Sequence, residues 1–224
     1  GIYIDWDMNR DTTQYNIPYA YKFPKMDVEQ LIAAVKSSVA AHPYLKSHVV
    51  KIDNDVMLCR RDDAEFEVTI VELPEEPGKS YFQNKVRPFD LLTDDLLRIE
   101  VIKTPQSVYL FIDIHHLIYD GLSEGVFLGD IFKAYQGMQL DKERVTAFDF
   151  ALYEDELLKG ESYKKAEDFF DHLVGGLNVS SFMNSATPDN VPSGTVDVHI
   201  PSKDINAYCS TNGVTVGSYL QAAF

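Results

Sequence analysis

Apolar positions along the chain follow two periods. Between Asp27 and Pro43 they recur at helical spacing, with Leu31, Val35 and Val39 in one stripe and Ile32 beside it. Asp27 and Gln30 stand where a capping box would supply partners for orphan amides, and Pro43 biases His42 away from helical geometry. A helix ending near 42 is predicted. Strands are predicted over residues 15–23, 45–52, 56–60 and 65–72, the last with alternating apolar Phe66, Val68 and Ile70, with Pro18 demoting the first and Asp53-Asn54-Asp55 turning between the next two. Residues 3–23 as a whole mix Tyr and β-branched residues with turn formers, and residues 9–13 read as a loop. A polar segment after Pro74-Glu75-Glu76-Pro77-Gly78 is a further helical candidate.

Residues 96–102 and 107–115 form the best strand pair, joined by a turn of ordinary hairpin length. In the second strand Val108, Leu110, Ile112, Ile114 and His116 share one face, and Tyr109, Phe111, Asp113 and His115 share the other. Both faces are largely apolar, which predicts a central strand covered on both sides. Beyond Asp120-Gly121, Ser123 is the expected N-cap of a helix carrying Phe127, Ile131 and Tyr135 and stopped by Gly137. Helical stretches over 146–158 and 162–174 follow. Residues 177–194 lack periodicity and contain Pro188, Pro192 and Gly194, as a linker or crossing would. A strand over 195–200 and two helical pieces complete the chain.

Composition narrows the function classes. The 224 residues are 45% hydrophobic and 12% aromatic, enough to build a sizeable core. A formal charge of −15, from 20 Lys+Arg against 35 Asp+Glu, opposes approach to nucleic-acid phosphates and to anionic membrane surfaces. No apolar run approaches the roughly 18 residues of a membrane-spanning helix. Cys59 and Cys209 form neither a disulfide framework nor a metal knuckle, and a reducing, cytoplasmic setting is the simplest reading. The chain enters an apolar pattern at Gly1 and stops inside one at Phe224, as an excerpt of a longer chain would.

One segment concentrates unusual chemistry: His115-His116-Leu117-Ile118-Tyr119-Asp120-Gly121-Leu122-Ser123. Three readings compete for it. It could be a structural histidine pair beside a turn, with the acid bonding turn amides and Gly121 allowing a positive φ. It could be a metal site, although no third ligand has a suggestive spacing. Or one histidine could act as a general base or positioning group. The other candidates read as structural: His42 and His48 as local hydrogen-bonders, His172 as solvated, His199 as a partly buried sheet residue. The pairs Asp62-Asp63, Glu75-Glu76 and Asp94-Asp95 read as solvated turn residues, and Ser123 as a cap rather than a nucleophile.

The segment resembles the HHxxxDG signature of nonribosomal peptide synthetase condensation domains, members of the chloramphenicol-acetyltransferase-like superfamily. Further pieces fall in the family's order: Tyr15-Asn16-Ile17-Pro18, His42-Pro43-Tyr44-Leu45-Lys46, Pro88-Phe89-Asp90-Leu91 with Leu97-Arg98, the helical run between Tyr153 and Gly176, and Gly213-Val214-Thr215. There are departures. The family normally has Arg where Lys46 stands, and that Arg usually pairs with the motif's Asp. Lys offers a point charge in place of a planar fork, so either Lys46 or Arg98 is a candidate partner for Asp120. The family's customary opening helix is also missing.

The resemblance implies an α/β fold in which a mixed sheet is flanked by helices. It makes residues 1–176 a first lobe, 177–194 a crossing and 195–224 the start of a second, with a tunnel between lobes. About half of a two-lobed domain is then present, and alone it would be inactive. The implied reaction joins a donor acyl or peptidyl thioester to an acceptor aminoacyl thioester, each on the phosphopantetheine of a peptidyl carrier protein. Partners would be those donor and acceptor carriers and adjacent synthetase domains, with no cofactor bound by this domain itself and no metal. By resemblance His116 is the catalytic histidine, His115, Asp120 and Gly121 shape its loop, and Lys46, Arg98 and Ser123 support it. An epimerization-type or small-molecule acyltransferase relative, or a noncatalytic lobe that docks carriers, are the alternatives.

Overall fold

A computed structural model describes residues 1–53, 55–61, 65–176, 197–199 and 201–223, which fall into two compact units, Gly1–Asp168 and Phe169–Phe224. In the first unit the chain runs α1 (Ile2–Met8), β1 (Asn16–Phe23), α2 (Val28–Ala41), a 3₁₀ turn at Pro43–Lys46, β2 (Ser47–Ile52), β3 (Asp55–Arg60), β4 (Thr69–Glu72), α3 (Lys79–Gln83), β5 (Leu97–Lys103), β6 (Val108–His115), α4 (Gly121–Tyr135) and α5 (Ala147–Leu158). Helix α6 (Glu161–Val174) straddles the two units; α7 (Ser202–Asn212) and α8 (Val216–Ala223) lie in the second.

The main sheet is mixed, in the order β1-β6-β5-β4. The β1–β6 and β6–β5 pairs are antiparallel and β5–β4 is parallel. Every residue of β6 is buried, as expected of a strand apolar on both faces. On one side Leu110, Ile112 and Ile114 meet the helical stripes Leu31, Val35 and Val39 of α2 and Phe127 and Ile131 of α4, forming the principal core. On the other, Tyr109, Phe111 and Ile102 pack with Phe82 and Val71. Strand β1 is at the sheet edge, where Pro18 costs no ladder bond on its outer side. Its Ile17, Tyr19, Tyr21 and Phe23 alternate inward onto the core.

Several expectations change. Residues 2–8 form a helix, pinned by the buried Trp6, whose indole nitrogen donates to Phe89 O at 2.8 Å. Asp27 caps α2 through the Gln30 amide, but the reciprocal half of the box is absent. The Asp27 amide donates to the Tyr135 hydroxyl, and the Gln30 side chain bonds Tyr135 O. Residues 65–68 carry no strand, and Glu67 lines a cleft of about 500 Å³ together with Thr69 and Arg98 among others. Phe66 and Val68 still pack on the core. Glu76 is engaged rather than solvated: Lys22, Thr104 and Tyr109 all bond it, and these contacts, Lys22 foremost, hold its carboxyl down at about 2.

In the second unit α7 ends at Gly213, whose φ of +64° suits glycine, and Tyr208 meets Tyr219 of α8 at 5.2 Å between ring centroids. The expected crossing at 177–194 lies outside the described residues, as do positions 195, 196 and 200 of the expected strand. Residues 197–199 carry no strand, and His199 is exposed rather than part of a sheet. Cys59 and Cys209 are free thiols.

Candidate functional site

The site begins where β6 ends. His115 is the strand's last residue, its amide bonded to Leu96 O at 2.9 Å. The chain then turns, and the His116 amide donates to Tyr15 O at 2.8 Å, just before the edge strand. His116 therefore does not continue the aliphatic face of β6, as the alternation predicted. The turn carries it to the surface, while His115 stays buried at 3% exposure.

His115 sits between aromatic rings, with Phe89 edge-on at 5.6 Å and Tyr15 at 6.0 Å. Its Nδ1 accepts from the Leu117 amide at 3.1 Å, which leaves the proton of the neutral ring on Nε2. Burial, reinforced by His116 and Arg98, pushes its pKa down to about 4. His115 is thus a neutral spacer that fixes the turn.

Beneath it lies a charged network. Asp113, fully buried, receives the Asn16 side-chain nitrogen at 2.9 and 3.0 Å and Arg98 at 3.3 Å. Arg98 also donates to Asp94 at 2.7 Å and to the carbonyls of Arg87 and Pro88, and its guanidinium lies 3.6 Å above the Phe89 ring. Burial still raises the Asp113 pKa against these partners. Arg98 therefore supports the segment through Asp113 and Asp94, not through Asp120. Asp94, expected to be solvated, pairs with Arg98 at 2.7 Å, whereas Asp95 is exposed as expected and pairs at the surface with Arg61 at 2.7 Å.

Asp120 is the N-cap of α4, the role expected of Ser123. Its Oδ1 accepts from the amides of Leu122 (3.1 Å) and Ser123 (2.9 Å) and from the Ser123 hydroxyl (2.6 Å). Ser123 completes the capping box by accepting from the Asp120 amide at 3.4 Å. The Ser123 hydroxyl and amide lead in holding the Asp120 pKa down, with the Leu122 amide and His116 acting in the same direction. Gly121 opens α4 without the positive φ anticipated for it, and a Cβ there would meet nothing within 4 Å. Lys46 lines a separate cleft with Glu65 and Phe66.

A smaller cleft of about 210 Å³ adjoins the segment. Ile118, Tyr119 and Ser123 wall it on one side, and His42, Tyr44, Leu45 and Glu143 on another. Neither His116 nor Asp120 is among its lining residues. Here His42 departs from its expected local role: its Nε2 lies 2.9 Å from Asp130 Oδ2 of α4, and its Nδ1 lies 3.7 Å from Glu143 Oε2. Sequence reasoning missed Asn16, Phe89 and this His42–Asp130–Glu143 cluster as supports. The buried acid Asp113 in an apolar strand was the one visible signal. Among the described residues no group of three His, Cys, Asp or Glu side chains is arranged to hold a metal ion, and no helix is long and apolar enough to cross a membrane.

The architecture is an α/β fold in which a mixed sheet is flanked by helices, a fold shared with solved condensation-domain structures. The family model of the condensation domain matches residues 1–224, and the chain belongs to that family. It is 30% identical over 177 residues to tyrocidine synthase 3 of Brevibacillus parabrevis, covering 78% of this chain and 3% of that protein. To surfactin synthase subunit 1 of Bacillus subtilis it is 29% identical over 181 residues, covering 80% and 5%. The chain thus spans a small fraction of the synthetases it matches. Among solved structures, the X-domain from teicoplanin biosynthesis superposes in complex with OxyB at a TM-score of 0.76 and 22% identity, covering 96% of this chain and 51% of that one. The starter condensation domain of rhizomide synthetase superposes at 0.69 and 12% identity, covering 79% and 46%.

Proposed function

We propose that this chain is part of a condensation domain that forms an amide bond between two substrates carried as thioesters on the phosphopantetheine arms of donor and acceptor carrier proteins. The acceptor amine attacks the donor thioester carbonyl, a C–N bond forms, the C–S bond breaks, and the donor arm leaves as a thiol. An α-amino group with a pKa of about 7.7–8.0 is already roughly a tenth free base near pH 7. Strong deprotonation is unnecessary. The role assigned to His116 is to orient that amine or to take its extra proton once the tetrahedral adduct forms.

The observation that carries this reading is the division of labour between adjacent histidines. His115 is buried and neutral, whereas His116 is exposed on a turn whose amide is pinned to Tyr15 O. Residues 1–176 as a first lobe and 195–224 as the start of a second belong to the same proposal, as do adjacent synthetase domains and a cytoplasmic setting. His116→Ala in the full-length synthetase should abolish peptide transfer between loaded carriers, followed by mass spectrometry of the acceptor carrier. Transfer at near wild-type rate would refute the role of His116.

A second reading is a lobe that docks partners without catalysis. The fold shared with an X-domain that complexes OxyB supports it. Retained partner binding with no turnover by the wild-type domain would favour it.

A further inference from the structure

The cleft beside the start of α4 is not accounted for by the proposed chemistry of His116. Its walls are apolar and firm: Leu45, Ile118, Tyr119 and Phe127 are all buried, and Val126 stands exposed among the lining residues. At about 210 Å³ it is smaller than the roughly 300–1,000 Å³ of sites that enclose a whole ligand, and suits a single side chain. It also touches the motif directly, because Ser123, which lines it, bonds Asp120 at 2.6 Å.

Its polar side is acidic. The Glu143 amide donates to Ala41 O at 2.9 Å, which delivers the carboxylate beside His42, and the far nitrogen of His42 faces Asp130. Among the described residues the lining holds Glu143 and no Lys or Arg, and Lys133 outside it is engaged with Asp130 at 2.6 Å. An incoming carboxylate would leave water to meet like charge, a doubly unfavourable transfer.

We infer that this cleft is a specificity subsite that receives an apolar side chain, of leucine to phenylalanine size, from one of the two carrier-bound residues and rejects carboxylate side chains. The inference rests on the amide-forming reading above and adds to it which substrates are taken.

The test uses the full-length synthetase with donor and acceptor carriers loaded separately with Ala, Leu, Asn or Asp. Val126→Trp should fill the cleft and lower the ratio of kcat/KM for Leu over Ala at least about tenfold, the effect of losing even one methylene's worth of pocket. A ratio is insensitive to how much of the variant folds. Glu143→Gln should lower the preference for Asn over Asp by a similar factor. Changes confined to the acceptor series assign the cleft to the acceptor residue, and changes confined to the donor series assign it to the donor. Unchanged ratios in both variants, with wild-type turnover intact, overturn the subsite alone. No turnover by the wild-type enzyme with any pair overturns the amide-forming reading and the subsite with it.

Discussion

Arg98→Met tests how the charged network supports the histidine turn. The Asp113 carboxylate is fully buried, and the Arg98 side chain is 17% exposed. Removing one partner of a buried pair costs about 3–5 kcal/mol, because the other charge is left uncompensated. Asn16 still donates to both Asp113 oxygens, which favours the lower end, about 3 kcal/mol. For a domain of this size that corresponds to a fall in Tm of roughly 6–12 °C. Asp113→Asn removes the stranded charge, so the double variant should lose less than the two single variants together, by at least about 1 kcal/mol. Urea unfolding is the assay, followed by fluorescence of Trp6, the chain's one tryptophan. Its indole is hydrogen-bonded to Phe89 O, and Phe89 lies directly beneath Arg98, so the probe reports on the network itself. A loss below about 1 kcal/mol for Arg98→Met, or strict additivity in the double variant, would refute this account.

Two further perturbations address the motif. His115 has an ordinary pKa near 6.5 when unfolded and about 4 when folded, so between those values the unfolded chain binds more protons. Stability should therefore be full above about pH 6.5 and fall as pH drops toward 4, by on the order of 3 kcal/mol in total. Denaturant midpoints against pH should show this decline in the wild type and a weaker one in His115→Asn; equal slopes would exclude His115 as the source. Asp120→Ala should cost about 1 kcal/mol by thermal unfolding, while Asp120→Asn, an equally good cap, should cost only a few tenths. An Asn variant as unstable as the Ala variant would show that the charge of Asp120 matters beyond capping.

What could be read from residues alone follows from range. The stripes of α2 and α4 and the alternation of β5 and β6 are written within each segment, because each buries its own repeating face. Helix α1 carries no such repeat: Trp6 is its sole buried residue, and its anchor lies 83 residues away at Phe89. The cap of α4 was misplaced by three residues because Asp120 and Ser123 are both good caps, and only their reciprocal bonds choose between them. The site divides in the same way. The pair His115-His116 is visible in sequence, but its opposite burial depends on the bond to Tyr15 O. The partner of Arg98 depends on the register that sets it opposite Asp113.

The sheet order also sets a schedule for biosynthesis. Strand β1 pairs with β6 and is an edge strand, so it emerges from the ribosome long before its partner. The roughly 85 residues between them take about 4–17 s to translate at 5–20 residues per second. Throughout that interval Ile17, Tyr19, Tyr21 and Phe23 have no sheet to join, and a nascent amphipathic strand is a natural client for chaperones. The turn bearing His116 is stapled to Tyr15, next to that waiting strand, so His116 is positioned only after this long-range closure is complete.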